Sequence, residues 1–193
     1  LSLDNSYNEE DLVDFDRRVK ELTGEKHIQY CVEPKFDGAG ISVIYENDYY
    51  SRGATRGNGA VGNDITPNLK VLRSIPLKPA FSDLGIHAVE LRGEVMINKQ
   101  KFKEINEARI AEGKTPFANP RNSAAGTLRL QDAKIVANRG MEAFIYDVSY
   151  AVDENGNDLI GDKVRHRNEN IELLHKLGFK TPVKEYKLLD NIR

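Results

Sequence analysis

Gly40-Ile41-Ser42-Val43-Ile44-Tyr45, then Glu46-Asn47-Asp48, then Tyr49 to Arg56, decide how this chain of 193 residues folds. Two runs rich in β-branched and aromatic residues flank three polar ones, which reads as a β-hairpin. A hairpin joins antiparallel neighbours, whereas parallel strands need long crossovers. Strands and helices alternate irregularly around it, so the class is α+β rather than doubly wound.

Working outward, residues 6–22 read as an amphipathic helix, with Ser6 and Glu9 at capping-box spacing and Leu12, Phe15, Val19 and Leu22 on one stripe. His27–Glu33 reads as a strand, with Cys31 expected to be buried and inert. Asn63–Ser74 suggests a short helix ending before Pro76. Ala88–Ile97 alternates: Val89, Leu91, Val95 and Ile97 share one face, Glu90, Arg92, Glu94 and Met96 the other. Asn98 is placed to cap a helix stopped near Gly113, and Asn119-Pro120 repeats that start signal. Glu142–Tyr150 is a further strand, 153–158 a polar loop, and Val164–Leu177 a helix closed by Gly178. Asp190 reads as a helix cap three residues before the sequence stops. The expected division is a helical edge over 1–26, a sheet region over 27–150, and a loop, a helix and the start of a further part over 151–193.

Lys and Arg total 28 against 30 Asp and Glu, a formal charge of −2 with 39% apolar residues. That sum hides a pattern. Residues 1–51 carry net −7, residues 52–139 net +7, and residues 140–193 net −2. Such a basic block is either a solvated face or the footprint of a polyanion binder. The single cysteine excludes a disulfide framework and a four-cysteine zinc site within this chain, which suits a reducing cytosol. No apolar run approaches the ~20 residues that span a bilayer.

Four motifs carry possible chemistry. Gly57-Asn58-Gly59-Ala60-Val61-Gly62 fits the dinucleotide pattern G-x-G-x-x-G, but that fingerprint needs a buried parallel strand feeding it, and the polar strand here sits in a hairpin. A glycine loop is the better reading. Glu33-Pro34-Lys35-Phe36-Asp37-Gly38 is either a surface lysine before an Asp-Gly turn or a nucleophilic lysine whose amine is kept neutral by nearby cations or desolvation. Glu90-Leu91-Arg92-Gly93-Glu94 is either a solvent face or a row of carboxylates lining a cleft. Phe117 to Arg129 reads as a small-residue helix, with Arg121 at a start that already favours anions and Arg129 two turns on. The four histidines lack metal-ligand spacing.

In order and spacing these motifs, with the opening Leu-Ser-Leu-Asp-Asn and Ala54-Thr55-Arg56-Gly57-Asn58-Gly59, resemble the adenylation domain of the NAD-dependent bacterial DNA ligases. Pro34 and Phe36 are mild variations on its lysine loop, and Asn58 replaces a more usual Asp. The resemblance implies largely antiparallel sheets flanked by helices, the ATP-grasp-like nucleotidyltransferase architecture, incomplete at the C-terminus. It implies catalytic roles for Lys35 as nucleophile, Asp37 in orienting the lysine loop, and Arg121 and Arg129 toward phosphates. It implies AMP-binding roles for Ser2, Leu3, Glu33 (adenine), Arg56, Glu94 (ribose) and Tyr146 (stacking), with no metal ligand assigned. NAD is the implied AMP donor, with magnesium at the phosphates and zinc only in parent-protein regions outside this chain. The implied partner is nicked double-stranded DNA, engaged through a full-length cytoplasmic protein of replication and repair, monomeric and away from membranes. Two later family motifs are not found before Arg193, so the isolated chain is expected not to seal nicks. Three alternatives stay open: an ATP-using polynucleotide ligase or capping enzyme, a non-catalytic basic nucleic-acid-binding module, and a Rossmann oxidoreductase.

Overall fold

The computed structural model describes residues 5–57, 59, 61–161, 164 and 166–190. These described residues form two compact units, one within 1–34 and 184–193, the other within 35–183.

In the first unit, helix α1 (Glu9–Thr23) is capped by Asn8, whose side chain accepts from the Asp11 N–H at 2.8 Å while the Asp11 carboxylate accepts from the Tyr7 N–H at 2.8 Å. The cap sits two residues beyond the expected Ser6, and the Asp11 carboxylate reaches back to the residue before the cap rather than to the cap itself, so the bond is not the reciprocal one expected of Ser6 and Glu9. Asn ranks with Ser as a cap, and Glu9, Glu10 and Asp11 then occupy the positive first turn. The apolar stripe of α1 contains no buried residue, and Phe15 rests on Tyr30 with ring centres 6.0 Å apart. Strand β1 (Tyr30–Val32) is shorter than the sequence suggested and pairs antiparallel with β6 (Lys187–Leu189). One correction follows. Cys31 is half-exposed, because a two-stranded ribbon cannot bury both faces. Asp190 directly follows β6, and its carboxylate accepts from the Gln29 side chain at 2.8 Å; the helix it was expected to cap would lie outside the described residues.

The second unit is built on a four-stranded antiparallel sheet in the order β3-β2-β4-β5, with β2 Ala39–Glu46, β3 Tyr49–Thr55, β4 Ala88–Ile97 and β5 Met141–Val152. The hairpin turns through Asn47 (φ 50°) and Asp48 (φ 69°), the left-handed pair that matches strand twist in a two-residue turn. Ile41, Val43, Tyr45, Val89, Leu91, Val95, Ala143 and Ile145 form the buried face. Helices α2 (Thr66–Lys70), α4 (Pro120–Thr127), α5 (Ala133–Ala137) and α6 (Arg167–Lys176) add Leu69, Ala124, Val136 and Leu174 to that core. Helix α3 (Lys99–Ala111) starts at the Asn98 cap and buries Ile105. The alternate face of β2 and β4 carries Gly40, Ser42, Ile44, Glu90, Arg92 and Glu94, none of them buried.

Differences from the sequence reading have local causes. Asn63 and Asp64 do not join α2, because the Asn63 carbonyl accepts from the Thr55 N–H at 2.9 Å and Asp64 bridges Ala54. Helix α6 begins at Arg167 rather than Val164, which is bridged to Ile160. The strand expected at Glu142–Tyr150 contains two bulges. Arg92 faces Asp147 and Gly93 faces Ile145, leaving Tyr146 between them; Glu90 faces Tyr150 and Leu91 faces Val148, leaving Ser149. No hydropathy pattern announces a bulge.

Candidate active site

One corner of the sheet gathers most of the charged residues singled out in the sequence. The loop Lys35-Phe36-Asp37-Gly38 runs directly into β2 and is tied down at two points. The Phe36 ring lies 4.8 Å from that of Phe144 on β5. Gly38 passes so close to β4 that a Cβ there would stand 2.3 Å from the Val95 carbonyl oxygen, so only glycine fits. Lys35 is exposed and makes no hydrogen bond or ion pair among the described residues.

Asp37 receives Arg121 from the first turn of α4 at 2.9 Å. The position of Arg121 comes from the cap: the Asn119 side chain accepts from the Asn122 N–H at 2.8 Å, and Pro120 supplies a preset φ at the start of the helix. Upstream, the Asn106 carboxamide pairs with both backbone groups of Phe117, accepting at 2.8 Å and donating at 3.0 Å. Phe117 in turn lies under the Arg109 guanidinium and against Gly126, where a Cβ would come within 3.1 Å of the ring.

The pKa of Glu94 is raised by its surroundings. Burial pushes its carboxyl above the usual range, opposed by Arg121, Arg56 and a hydrogen bond from the Gly38 N–H, with Asp37 adding to the rise. Its Oε2 is buried and has no hydrogen-bond partner among the described residues. Across the ladder from Glu94 sits Gly40, whose carbonyl accepts from the Arg56 N–H at 2.8 Å. A Cβ on Gly40 would come within 3.1 Å of the Arg56 Cβ and 3.4 Å of the Glu94 Oε1. The bare backbone at Gly40 thus separates a cation from a carboxylate.

Tyr146, set out of register by its bulge, is half-buried, and burial raises its phenol together with Glu94 and Asp147, against Arg56 and Arg167. Arg167 stands 5.6 Å from the Tyr146 ring centre and pairs with Asp147 at 2.9 Å. Sequence reading passed over Arg167, because nothing local marks the first residue of a surface helix as a partner of a strand twenty positions earlier.

The structure therefore brings Asp37, Arg56, Glu94, Arg121 and Tyr146 into one electrostatic neighbourhood beside the Lys35 loop. Arg129 is exposed just past α4, with no side-chain hydrogen bond or ion pair to that cluster among the described residues. Glu33 belongs to the first unit and is half-buried there. Ser2 and Leu3 lie outside the described residues. The glycine loop follows the edge strand β3, so the dinucleotide fingerprint lacks its parallel strand. Gly57 has φ 54°, and a Cβ there would meet the Val61 carbonyl oxygen.

Fold and corner together define an antiparallel α+β domain with an exposed lysine beside a polar cluster of two arginines, two carboxylates and a half-buried tyrosine. The family model of the NAD-dependent DNA ligase adenylation domain matches residues 1–193, and the chain belongs to that family. It is 61% identical over 192 residues to the DNA ligase of Persephonella marina, 50% identical over 192 residues to that of Aquifex aeolicus, and 48% identical over 181 residues to that of Bacillus pumilus. These alignments take in 100%, 100% and 94% of the chain but only 27%, 26% and 25% of those relatives. The chain spans about a quarter of the length of the curated relatives it matches.

Proposed function

We propose that this chain is the part of an NAD-dependent DNA ligase that takes up AMP on Lys35 and passes it to the 5′-phosphate of a nick. The observation that carries the reading is the buried, partnerless Oε2 of Glu94, held between Arg56 and Arg121 next to the lysine loop. A buried acceptor of that kind calls for a donor, and a ribose hydroxyl supplies one. Gly40, opposite Glu94 on the ladder, adds no side chain of its own to this crowded point. NAD as substrate supplies an α-phosphorus that already bears a leaving group, nicotinamide mononucleotide.

The chain's own groups then divide the work. The Lys35 amine attacks that phosphorus and a phosphoramidate forms as the leaving group departs. Asp37 is held by Arg121 and fixes the loop that aims the lysine. Arg56, Arg121 and Arg129 offer positive charge to phosphate oxygens, where preset donors lower the barrier to phosphoryl-type transfer. Tyr146 offers the face for a stacked base. Glu33, Ser2 and Leu3 are assigned to the nucleotide by the family resemblance alone. Magnesium belongs to the same proposal, held through phosphate oxygens and water more than through a protein cage. Among the described residues no group of three or more His, Cys, Asp or Glu is clustered to hold a metal, and no helix is long and apolar enough to cross a membrane. We place the protein in the cytoplasm, as a monomer acting on nicked double-stranded DNA.

The test is made with the chain exchanged for the corresponding quarter of the Persephonella marina ligase, incubated with adenylate-labelled NAD and magnesium. Label should appear on Lys35, be absent from Lys35→Ala, and move to a nicked duplex. Labelling by ATP but not NAD would overturn the choice of donor. DNA binding without any adduct, indifferent to Lys35→Ala, would favour a non-catalytic module.

A further inference from the structure

The two arginines at the ends of α4 are held in different ways. Arg121 is anchored by its own ion pair, whereas the Arg129 side chain makes no polar contact among the described residues. What is fixed at Arg129 is its backbone. Asn68, in α2 and 5% exposed, donates from its side-chain nitrogen to the Leu128 carbonyl at 2.7 Å and to the Leu130 carbonyl at 2.8 Å. These are the carbonyls immediately before and after Arg129. Lying past the last helical residue, they have no partner of their own in α4 and would otherwise be orphaned. The Leu128 side chain is fully buried and that of Leu130 packs on the core, so the residue between them is turned outward. A carboxamide suits this clamp because one small side chain carries two N–H donors; Asp carries none when ionised and Ser only one.

We propose that Asn68 is the positioning residue for Arg129, fixing the turn that presents its guanidinium to a phosphate. The inference rests on the reading of Arg129 as a phosphate ligand given above. Satisfying these two carbonyls, one buried and one partly so, also stabilises the fold, so lower stability in an Asn68 variant does not by itself distinguish positioning from packing. Coupling to Arg129 does.

The experiment is a double-mutant cycle in the same exchanged full-length ligase, with kcat and KM measured for sealing a 5′-phosphorylated nick well below each variant's Tm. Arg129→Ala should lower kcat/KM about tenfold or more, the usual cost of a lost charge-assisted contact. Asn68→Ala should lower it several-fold, and adding it to Arg129→Ala should cost less than about twofold further. Asn68→Ser, which keeps one donor, should fall between wild type and Asn68→Ala, and it carries the cycle if Asn68→Ala does not fold. Effects that multiply independently would overturn the inference and leave Asn68 a packing residue. An Arg129→Ala variant that seals like wild type would instead remove the reading beneath it, and the inference with it.

Discussion

Gly40→Ala places one methyl group between Arg56 and Glu94 without touching any group that reacts. The new Cβ would stand 3.1 Å from the Arg56 Cβ, 3.2 Å from its Cδ and 3.4 Å from the Glu94 Oε1. Carbon pairs are at ease at about 3.5–4.0 Å, so a shift of about half an ångström in Arg56 relieves the contact. Arg56 is exposed, but its Cβ moves only with its backbone, whose N–H is bonded to the Gly40 carbonyl, so the shift is shared along that strand end. Alanine also loses less backbone freedom on folding than glycine, a gain of about 0.5–1 kcal/mol within a strand, which offsets much of the crowding. The net change in stability should stay within about 1 kcal/mol, or about 2–4 °C in Tm for a domain of this size. The site fares differently. Moving a cation aimed at a phosphate removes charge-assisted bonds worth about 1.5–3 kcal/mol, a loss of about tenfold to a hundredfold in adenylation at limiting NAD. Scanning fluorimetry of the chain gives the first quantity, and labelled-NAD adenylation of the exchanged ligase gives the second. Gly93→Ala is the contrast, because its Cβ would meet the backbone Phe144 carbonyl oxygen, which cannot swing aside. That variant should fail to fold. Unchanged adenylation in Gly40→Ala, or a collapse of Tm, would refute the reasoning about this corner.

Three further outcomes are expected. The folded-state pKa of Glu94 is raised, chiefly by burial, so its contribution to stability is full below the ordinary carboxylate range and is lost as pH rises through the raised value. Glu94→Gln should therefore melt like wild type in acid and increasingly above it toward neutrality, while losing adenylation; a pH-independent difference in Tm would contradict the assignment. Asn119→Ala removes the cap that starts α4 and should cost about 1 kcal/mol in urea denaturation, with adenylation reduced because Arg121 shares that turn; an unchanged midpoint would show the cap to be idle. Tyr45→Phe leaves the Pro76 carbonyl, which now accepts from the phenol at 2.8 Å, without its donor in a buried aromatic cluster, and should cost about 1–2 kcal/mol by the same measurement.

How much of this was written locally can be judged residue by residue. The β2–β3 hairpin, the bounds of β4 and the Asn98 and Asn119 caps were legible because each depends on neighbours within a few positions. The start of α1 was displaced by two residues, since Ser6 and Asn8 both offer a cap and only the folded chain chooses. The strand pairing of Lys187–Leu189 with Tyr30–Val32 and the amide clamp of Asn68 went unseen, because each joins segments far apart in the chain. In the corner itself the charged residues were legible as motifs. Their grouping was not: which face Tyr146 takes depends on a bulge, and the role of Gly40 as a spacer depends on its partner across the ladder.

The two bulges in β5 act like a compensated frameshift. Before the first, odd-numbered residues (Ala143, Ile145) enter the core; between the two, the even-numbered Val148 does; after the second, the odd-numbered Ala151 does again. Parity is inverted for only a few residues and then restored, and within that window Asp147 is opposite Arg92 and Tyr146 is free of the ladder. Deleting either Tyr146 or Ser149 closes one bulge and leaves every later residue of the strand opposite its present β4 partner, because the bulged residue is the one without a partner. Removing both Tyr146 and Ser149 would leave the core in phase and erase only the ring at the site, so this strand can lose its function without losing its fold.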